Sequence, residues 1–491
     1  MSNNNERYYT TRPELTAVAH AIRQKAGISE QLLYPYEFIE AVRGIPANDP
    51  PAKDVNFYDY DGRVVDSYTA EEFLALEALP ANPSHEGLTA QGWNWELAAA
   101  QTYVQNYGSL EIGQMYTTSD GKTRAVIDIG DTEDLALTIR WTQSAANAVS
   151  IDWGDESEPE TASGTSCEIQ HTYDTAGVYV ITMTVADGET ACIGKDAEFT
   201  GRFLSQGSLP VCGREVLTAL YIGAGMTKIG KFGLAFQSRL LKISIPQTVV
   251  NIDNRAFDAC LGLKAIVIPK GCTAVGNYVF RCNYQLEVAS LPQGLLTLGP
   301  SFMTCIYLKR VSVPEGVTAI GANTFQRCFS ARVISIPDSV ASFGNYAFES
   351  CYDLRKINVP SGVTAIPNYF ARQCHNLTQV NIPEGVTSIG QMAFSGIFAL
   401  ADLEIPSTVT SIGKFAFLYN DGVGVFHVKA TTPPTLEATA LTSIGSATIY
   451  VPYSEDHSVY DAYLAATNWS NFGDIIHEEE AEEAEEEEEP V

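Results

Sequence analysis

No stretch of the 491 residues approaches 18 uninterrupted apolar positions, so nothing in the sequence reads as a membrane-spanning helix. The opening residues, MSNNNERYYTTRPEL, are polar and lack the apolar core of a secretory leader, which argues against export by the general pathway. Basic residues are scarce. The 30 Lys and Arg face 59 Asp and Glu, and a net charge of −29 disfavours nucleic acid as a partner of the chain as a whole. The seven histidines (20, 85, 171, 375, 427, 457 and 477) are scattered, and no CxxC pair or Cys/His set has zinc spacing. A Gly-rich phosphate loop, HExxH and G-x-S-x-G are all missing. The chain is therefore expected to be non-catalytic, with no metal and no cofactor. A depolymerase would need two carboxylates facing one groove, and abundant acid does not single out such a pair.

What is present is a period. Prolines 246, 269, 292, 314, 337, 360, 383 and 406 lie 23, 23, 22, 23, 23, 23 and 23 residues apart, each closing a short apolar strand such as Ile357-Asn358-Val359. Units this short cannot bury an apolar face alone, so stacking about nine rungs over 216–428 makes one continuous core, a solenoid. Phe257, Phe280, Phe302, Phe325, Phe348, Phe370, Phe394 and Phe417 are expected to form one core column. Six of the ten cysteines, Cys260, Cys282, Cys305, Cys328, Cys351 and Cys374, recur in the same rungs, where a stacked column of small apolar thiols is expected in place of a disulfide framework. Synthesis in a reducing compartment fits that reading.

The remaining segments differ in kind. Residues 1–45 carry apolar residues at helical spacing (Leu15, Val18, Ala19, Ile22; then Phe38, Ile39, Val42) and read as a helical attachment region, with 46–53 a Pro-rich linker. Residues 54–124 read as an α+β segment, in which Asp59, Asp61 and Gly62 make a turn and lack the later ligands of a calcium loop. Period-two alternation in ALTIRW and VYVITMTV marks strands across 125–205. Residues 429–477, with Tyr460, Tyr463, Leu464 and Trp469, read as a cap on the last rung, and 478–491 as a disordered acidic tail.

Three resemblances sharpen this. SIDWGDES with HTYDTAGVYVITMTV resembles the polycystic-kidney-disease (PKD) type of immunoglobulin-like sandwich, although the turn Trp153-Gly154-Asp155-Glu156 lacks a second glycine. That implies a spacer or binding module. The strand-ending prolines and the IGxxAF core at Ile389-Gly390 and Ala393-Phe394 resemble BspA-like leucine-rich repeats of bacterial surface antigens. Nearly all of the first 125 residues, including VNFYDYDGRVVDSYTAEEF and LPANPSHEGLTAQGWNW, resemble tail-associated structural proteins of phages and prophages.

The expectation is a mainly β, modular tail or baseplate protein of a virion, made in the host bacterial cytoplasm. Its N-terminal region would join other virion tail proteins, and its repeats would meet a host-surface glycan or protein. No membrane insertion is expected, and a homo-oligomer is possible. A bacterial cell-surface adhesin and a purely structural baseplate or fibre component are the rivals; the adhesin would need a leader or wall anchor, and neither end reads as one. Within 216–428, 16 basic residues outnumber 11 acidic ones. Outward strand positions and the adjoining bends give Lys242, Lys264, Lys309, Arg310, Arg332, Arg355 and Lys356, which strands about 4.8 Å apart would align as a basic ridge. The ridge is either a solvated sheet face or a dock for an anionic partner.

Overall fold

The computed structural model describes residues 53–130, 135–195, 201–206 and 215–480. The helices expected within 1–45, most of the 46–53 linker and the acidic run beyond 480 lie outside them.

Each rung supplies two short strands to two parallel ladders. The first ladder holds the strands that precede proline, such as Ala265–Val267, Val288–Ser290, Arg310–Ser312 and Val333–Ser335, in parallel register (Ala265 beside Val288, Arg310 beside Val333). The second holds two-residue strands such as Asn251–Ile252, Ala319–Ile320 and Ser388–Ile389. Proline ends the first strand because it has no N–H for the ladder, and its carbonyl then accepts from the residue three positions on. This bond repeats at every one of the eight prolines, from Pro246 (Val249 N–H, 3.0 Å) to Pro406 (Val409 N–H, 3.1 Å).

The third side of the rung turns through left-handed residues. Arg255, Tyr278, Asn323, Tyr346 and Tyr369 form one column of positive φ, and Ala259, Cys282, Thr304, Arg327 and Ser350 a second. Each non-glycine residue there costs roughly 1–2 kcal/mol. The residues between them point inward and offset that strain by burial.

All eight expected phenylalanines are fully buried. From Phe257 to Phe348 they stack face to face, with centroids 5.3–5.7 Å apart. Phe370 breaks the column. Its rung reads Tyr-Phe-Ala where the preceding one reads Tyr346-Ala347-Phe348, so Phe370 occupies the alanine site and meets Phe348 edge-on at 87°. The cysteine column also needs correction. Cys260, Cys305, Cys328, Cys351 and Cys374 are buried free thiols, but half-buried Cys282 sits one position early, at a left-handed turn, and Asn283 takes the column site. The Asn283 side-chain oxygen accepts from Cys260 N–H at 2.8 Å.

Nor are the thiols inert filler. Cys305, Cys328, Cys351 and Cys374 each donate to the carbonyl of the phenylalanine in the preceding rung, at 3.0–3.2 Å. Asn420 donates in the same way to Phe394 O, at 2.9 Å. A hydroxyl can keep this bond. Cys351→Ser is therefore expected to lower stability by no more than about 1 kcal/mol, and Cys351→Ala by more, because it loses both the bond and the sulfur's packing; urea denaturation of the two variants checks the order.

The segment before the repeats reads as a spacer or binding module in sequence. Its strands are not separate from the stack but extend both ladders. Thr123–Ile129 buries every second residue and pairs antiparallel with Leu217–Tyr221, which pairs in parallel with Lys242–Ser244. Ala191–Ile193 pairs in parallel with Met226–Ile229, which leads into Asn251–Ile252. One apolar core runs without a break from Ala125 to Ile476, so the strands around Trp141 and Trp153 seal the first rung. At the other end Tyr463 and Trp469 are buried edge to face, donating to Ala430 O (2.8 Å) and Pro434 O (2.7 Å). The acidic run begins in ordered chain: Glu478 ends the strand Ile476–Glu478, and Glu479 pairs with Lys429 (2.7 Å) and His427 (3.1 Å).

Residues 53–124 make a separate small core. The strands Val55–Tyr58, Val64–Tyr68, Leu88–Trp93 and Leu110–Thr118 form one four-stranded sheet. Helix Ala70–Leu74 starts at a Thr69/Glu72 capping box, and helix Leu97–Tyr107 ends at left-handed Gly108. Phe57, Phe73, Trp93, Tyr103 and Ile112 fill the space between them.

Candidate recognition face

Side chains of the first ladder alternate between the core and an outer face, and the outer face changes character along the stack. Two positions before each proline stand Ser244, Val267, Ser290, Ser312 and Ser335, then Asn358, Asn381 and Glu404. The first five are buried and the last three exposed. What buries the first five is the 53–124 segment.

Its strand Leu110–Thr118 runs across the rungs. Ser290 donates to Glu111 O (2.9 Å), Ser244 donates to Tyr116 O (3.2 Å), and the Ser109 and Ser335 hydroxyls lie 2.7 Å apart. A side chain at Gly113 would put its Cβ 2.5 Å from a methyl of Val267 and 3.0 Å from Ser290 Cβ, so glycine is required for this approach. The seat is small and polar on the ladder side because another backbone lies directly on it.

Proline leaves a second mark here. In the parallel ladder Val313 N–H donates to Ser335 O (3.0 Å), so Val313 O faces position 337, which is proline and has no N–H to give. Ile268 O and Leu291 O face Pro292 and Pro314 in the same way. All three carbonyls are filled from the 53–124 segment: Asn94 Nδ2 donates to Ile268 O (3.1 Å), Trp95 Nε1 to Leu291 O (2.8 Å) and the Tyr103 hydroxyl to Val313 O (2.7 Å). Burial raises the Tyr103 phenol well above its ordinary pKa, which keeps it a donor. Where the next rung has Lys429 in place of proline, its N–H closes the equivalent bond to Ile405 O at 2.9 Å.

The structure does not gather the basic residues into one open ridge. Arg310 is mostly buried, with Nε 2.6 Å from Glu111 Oε1 and Nη2 donating to Asp54 O. Desolvation pushes the Glu111 carboxyl above its usual range, and Arg310 only partly offsets this. Lys309 pairs with Glu287 at 2.9 Å, and Lys242 lies 3.8 Å from Asp61. Between Arg332 and Arg355 sits Asp353, whose carboxyl is raised by burial against the pull of both. Lys264, Arg355 and Lys356 are exposed. Carboxylates from neighbouring rungs and from 53–124 thus neutralise most of the row. The Ser/Ala/Val run at outward positions was the signal that this half of the face is covered.

The open half presents Lys356, Asn358, Gln379, Asn381, Asp402 and Glu404. Asn381 Nδ2 donates to Asn358 Oδ1 (2.8 Å) and Gln379 Nε2 to Asn381 Oδ1 (3.2 Å), forming a ladder of amides. With the exposed Arg355 beside Lys356, two cations stand against Asp402 and Glu404, and no large apolar side chain interrupts the ladder.

Acid–histidine pairs occur elsewhere but stay separate. Asp59, expected in a simple turn, is fully buried; burial pushes its carboxyl up, but Arg63 (3.0 Å) and His85 (2.8 Å) hold it below the ordinary value. His171 stacks on Trp153 and pairs with Asp155 at 2.6 Å. Among the described residues, no three His, Cys, Asp or Glu side chains are grouped to hold a metal ion.

Residues 213–301 and 299–423 match the model of the BspA type leucine-rich repeat region, in six copies. The stack is a leucine-rich-repeat solenoid of BspA type. Among solved structures, a leucine-rich repeat protein from Bacteroides ovatus is 21% identical over 53% of this chain and 77% of its own, with a TM-score of 0.34. A leucine rich cell surface protein from Faecalibacterium prausnitzii is 19% identical, over 56% of this chain and 93% of its own, with a TM-score of 0.27. A T. pallidum leucine-rich repeat protein is 24% identical, over 37% and 83%, with a TM-score of 0.29. No curated protein matches.

Proposed function

We propose that this chain is a non-catalytic recognition protein of a phage or prophage tail, in which the N-terminal region joins the particle and the repeats meet the host surface. One observation carries the reading. The 53–124 segment, which resembles tail-associated proteins in sequence, is bolted across the early rungs by buried hydrogen bonds, so whatever holds it holds the solenoid rigidly. The later rungs stay open to a partner. The strands of 125–206, with their resemblance to a PKD-type immunoglobulin-like sandwich, then serve as the solenoid's first cap.

A bacterial cell-surface adhesin is the second reading, favoured by the BspA-type repeats themselves. Immuno-electron microscopy separates the two. Labelling at the tail tip of purified particles is expected; labelling of the cell envelope with bare particles would transfer the same recognition role to a bacterial surface.

A further inference from the structure

The row of carbonyls that proline leaves vacant does not stop at Val313. Ile336 O, Val359 O and Ile382 O face Pro360, Pro383 and Pro406 in the same register, Val359 N–H donating to Asn381 O at 3.0 Å as Val313 N–H does to Ser335 O. No donor from the described residues reaches these three. The exposure of the residues follows suit: Ile268, Leu291 and Val313, whose carbonyls are filled, are 0%, 1% and 0% exposed, while Ile336, Val359 and Ile382 are 7%, 6% and 8% exposed. The covered interface therefore continues, at the same period of about 4.8 Å, into an open half with the same acceptors.

We propose that this open half, bounded by the vacant carbonyls of Ile336, Val359 and Ile382 and the amide ladder of Asn358, Gln379 and Asn381, binds a neutral glycan; the inference rests on the recognition role given above. The occupant must bring a row of donors, as Asn94, Trp95 and Tyr103 do on the covered half. It gains little from apolar burial, because the exposed outward side chains are Lys, Asn, Gln, Asp and Glu, whereas a stable protein partner wants an apolar centre with aromatic anchors. A polyanion gains little either, because Asp402 and Glu404 offset Lys356 and Arg355. Hydroxyls repeating along a sugar polymer supply both donors for the carbonyls and acceptors for the amides.

The test uses the same chemistry in reverse. Pro360→Ala, Pro383→Ala and Pro406→Ala together give the ladder its three missing N–H groups, which fill the carbonyls from within. The full chain is passed over immobilised neutral polysaccharides (glucan, mannan, galactan) and over wall teichoic acid, and is bound in parallel to host cells with and without protease treatment. The parent chain is expected to be retained by at least one neutral polysaccharide, with little dependence on salt. The triple variant should bind at least about tenfold more weakly while melting no earlier and protecting its three new amides from exchange. Asn358→Ala with Asn381→Ala leaves the backbone alone and should also weaken binding, by about fivefold or more; it decides the matter if the proline variant misfolds. Undiminished glycan binding in both variants overturns the site. Binding to cells that protease abolishes, with no polysaccharide retained, overturns the glycan and leaves recognition standing; no binding to cells at all overturns recognition itself.

Discussion

Raising the pH from 8 to 10 is expected to unfold the solenoid. Cys260, Cys272, Cys305, Cys328, Cys351 and Cys374 are wholly buried, and burial pushes every one of these thiols well up, Cys272 to about 12. In the unfolded chain they titrate near 8.5. The folded pKa lies above the unfolded one, so the contribution to stability is complete below pH 8.5 and is lost as pH rises toward the folded value. At pH 10 each thiol forfeits about 2 kcal/mol, and six together roughly 12, which is as large as the whole stability of an ordinary domain. Circular dichroism melts at half-unit steps should fall steeply above pH 8.5, with thiolate absorbance appearing only as structure is lost. A melting temperature unchanged up to pH 10 would mean that these thiols are not buried in a common core.

Arg310→Met should loosen the covered half of the recognition face at a cost of about 3–5 kcal/mol, because it leaves the Glu111 carboxylate buried without its counter-charge. A basic ridge on a solvated surface would have predicted almost no effect. The loss depends on pH, and its sign follows from Glu111. Its pKa is already raised by burial, so the folded state favours the protonated acid; stability from this group is present at low pH and drains away as pH rises. The variant should therefore lie nearer the parent at pH 5 than at pH 8. Arg355→Met, at an exposed site, serves as the control and should stay within about 0.5 kcal/mol. Limited proteolysis within 53–124 reads the undocking directly, and an Arg310→Met protein as resistant as its parent at pH 8 would contradict the buried pair.

The solenoid was legible because period is a one-dimensional property: prolines 23 residues apart and the apolar positions between them fix two ladders and a core. Finer features were written in the same rungs and needed closer alignment, such as Asn283 in place of a cysteine and the Phe370-Ala371 exchange. The docking of 53–124 was of another order. It joins residues 128 to 256 positions apart in sequence, and neither partner advertises the other except through small outward residues that could equally mark a solvated sheet. The fusion of the 125–206 strands with the ladders was hidden for a related reason. Alternation of buried and exposed residues tells which face is inward and says nothing about which edge is occupied.

Because the hydrogen bonds from the 53–124 segment reach no further along the stack than Ser335 and Asp338, the length of the stack beyond that rung is free to vary. Excising the 23 residues from Ser361 to Pro383 would bring both ladders back into register with the clamp untouched, shortening the open face by one step. Removing the rung between Pro292 and Pro314 would take away the seat of the Tyr103 hydroxyl and the Arg310 guanidinium together. The molecule is thus a ruler with one fixed end, and its reach can be altered in whole rungs while its mounting stays the same.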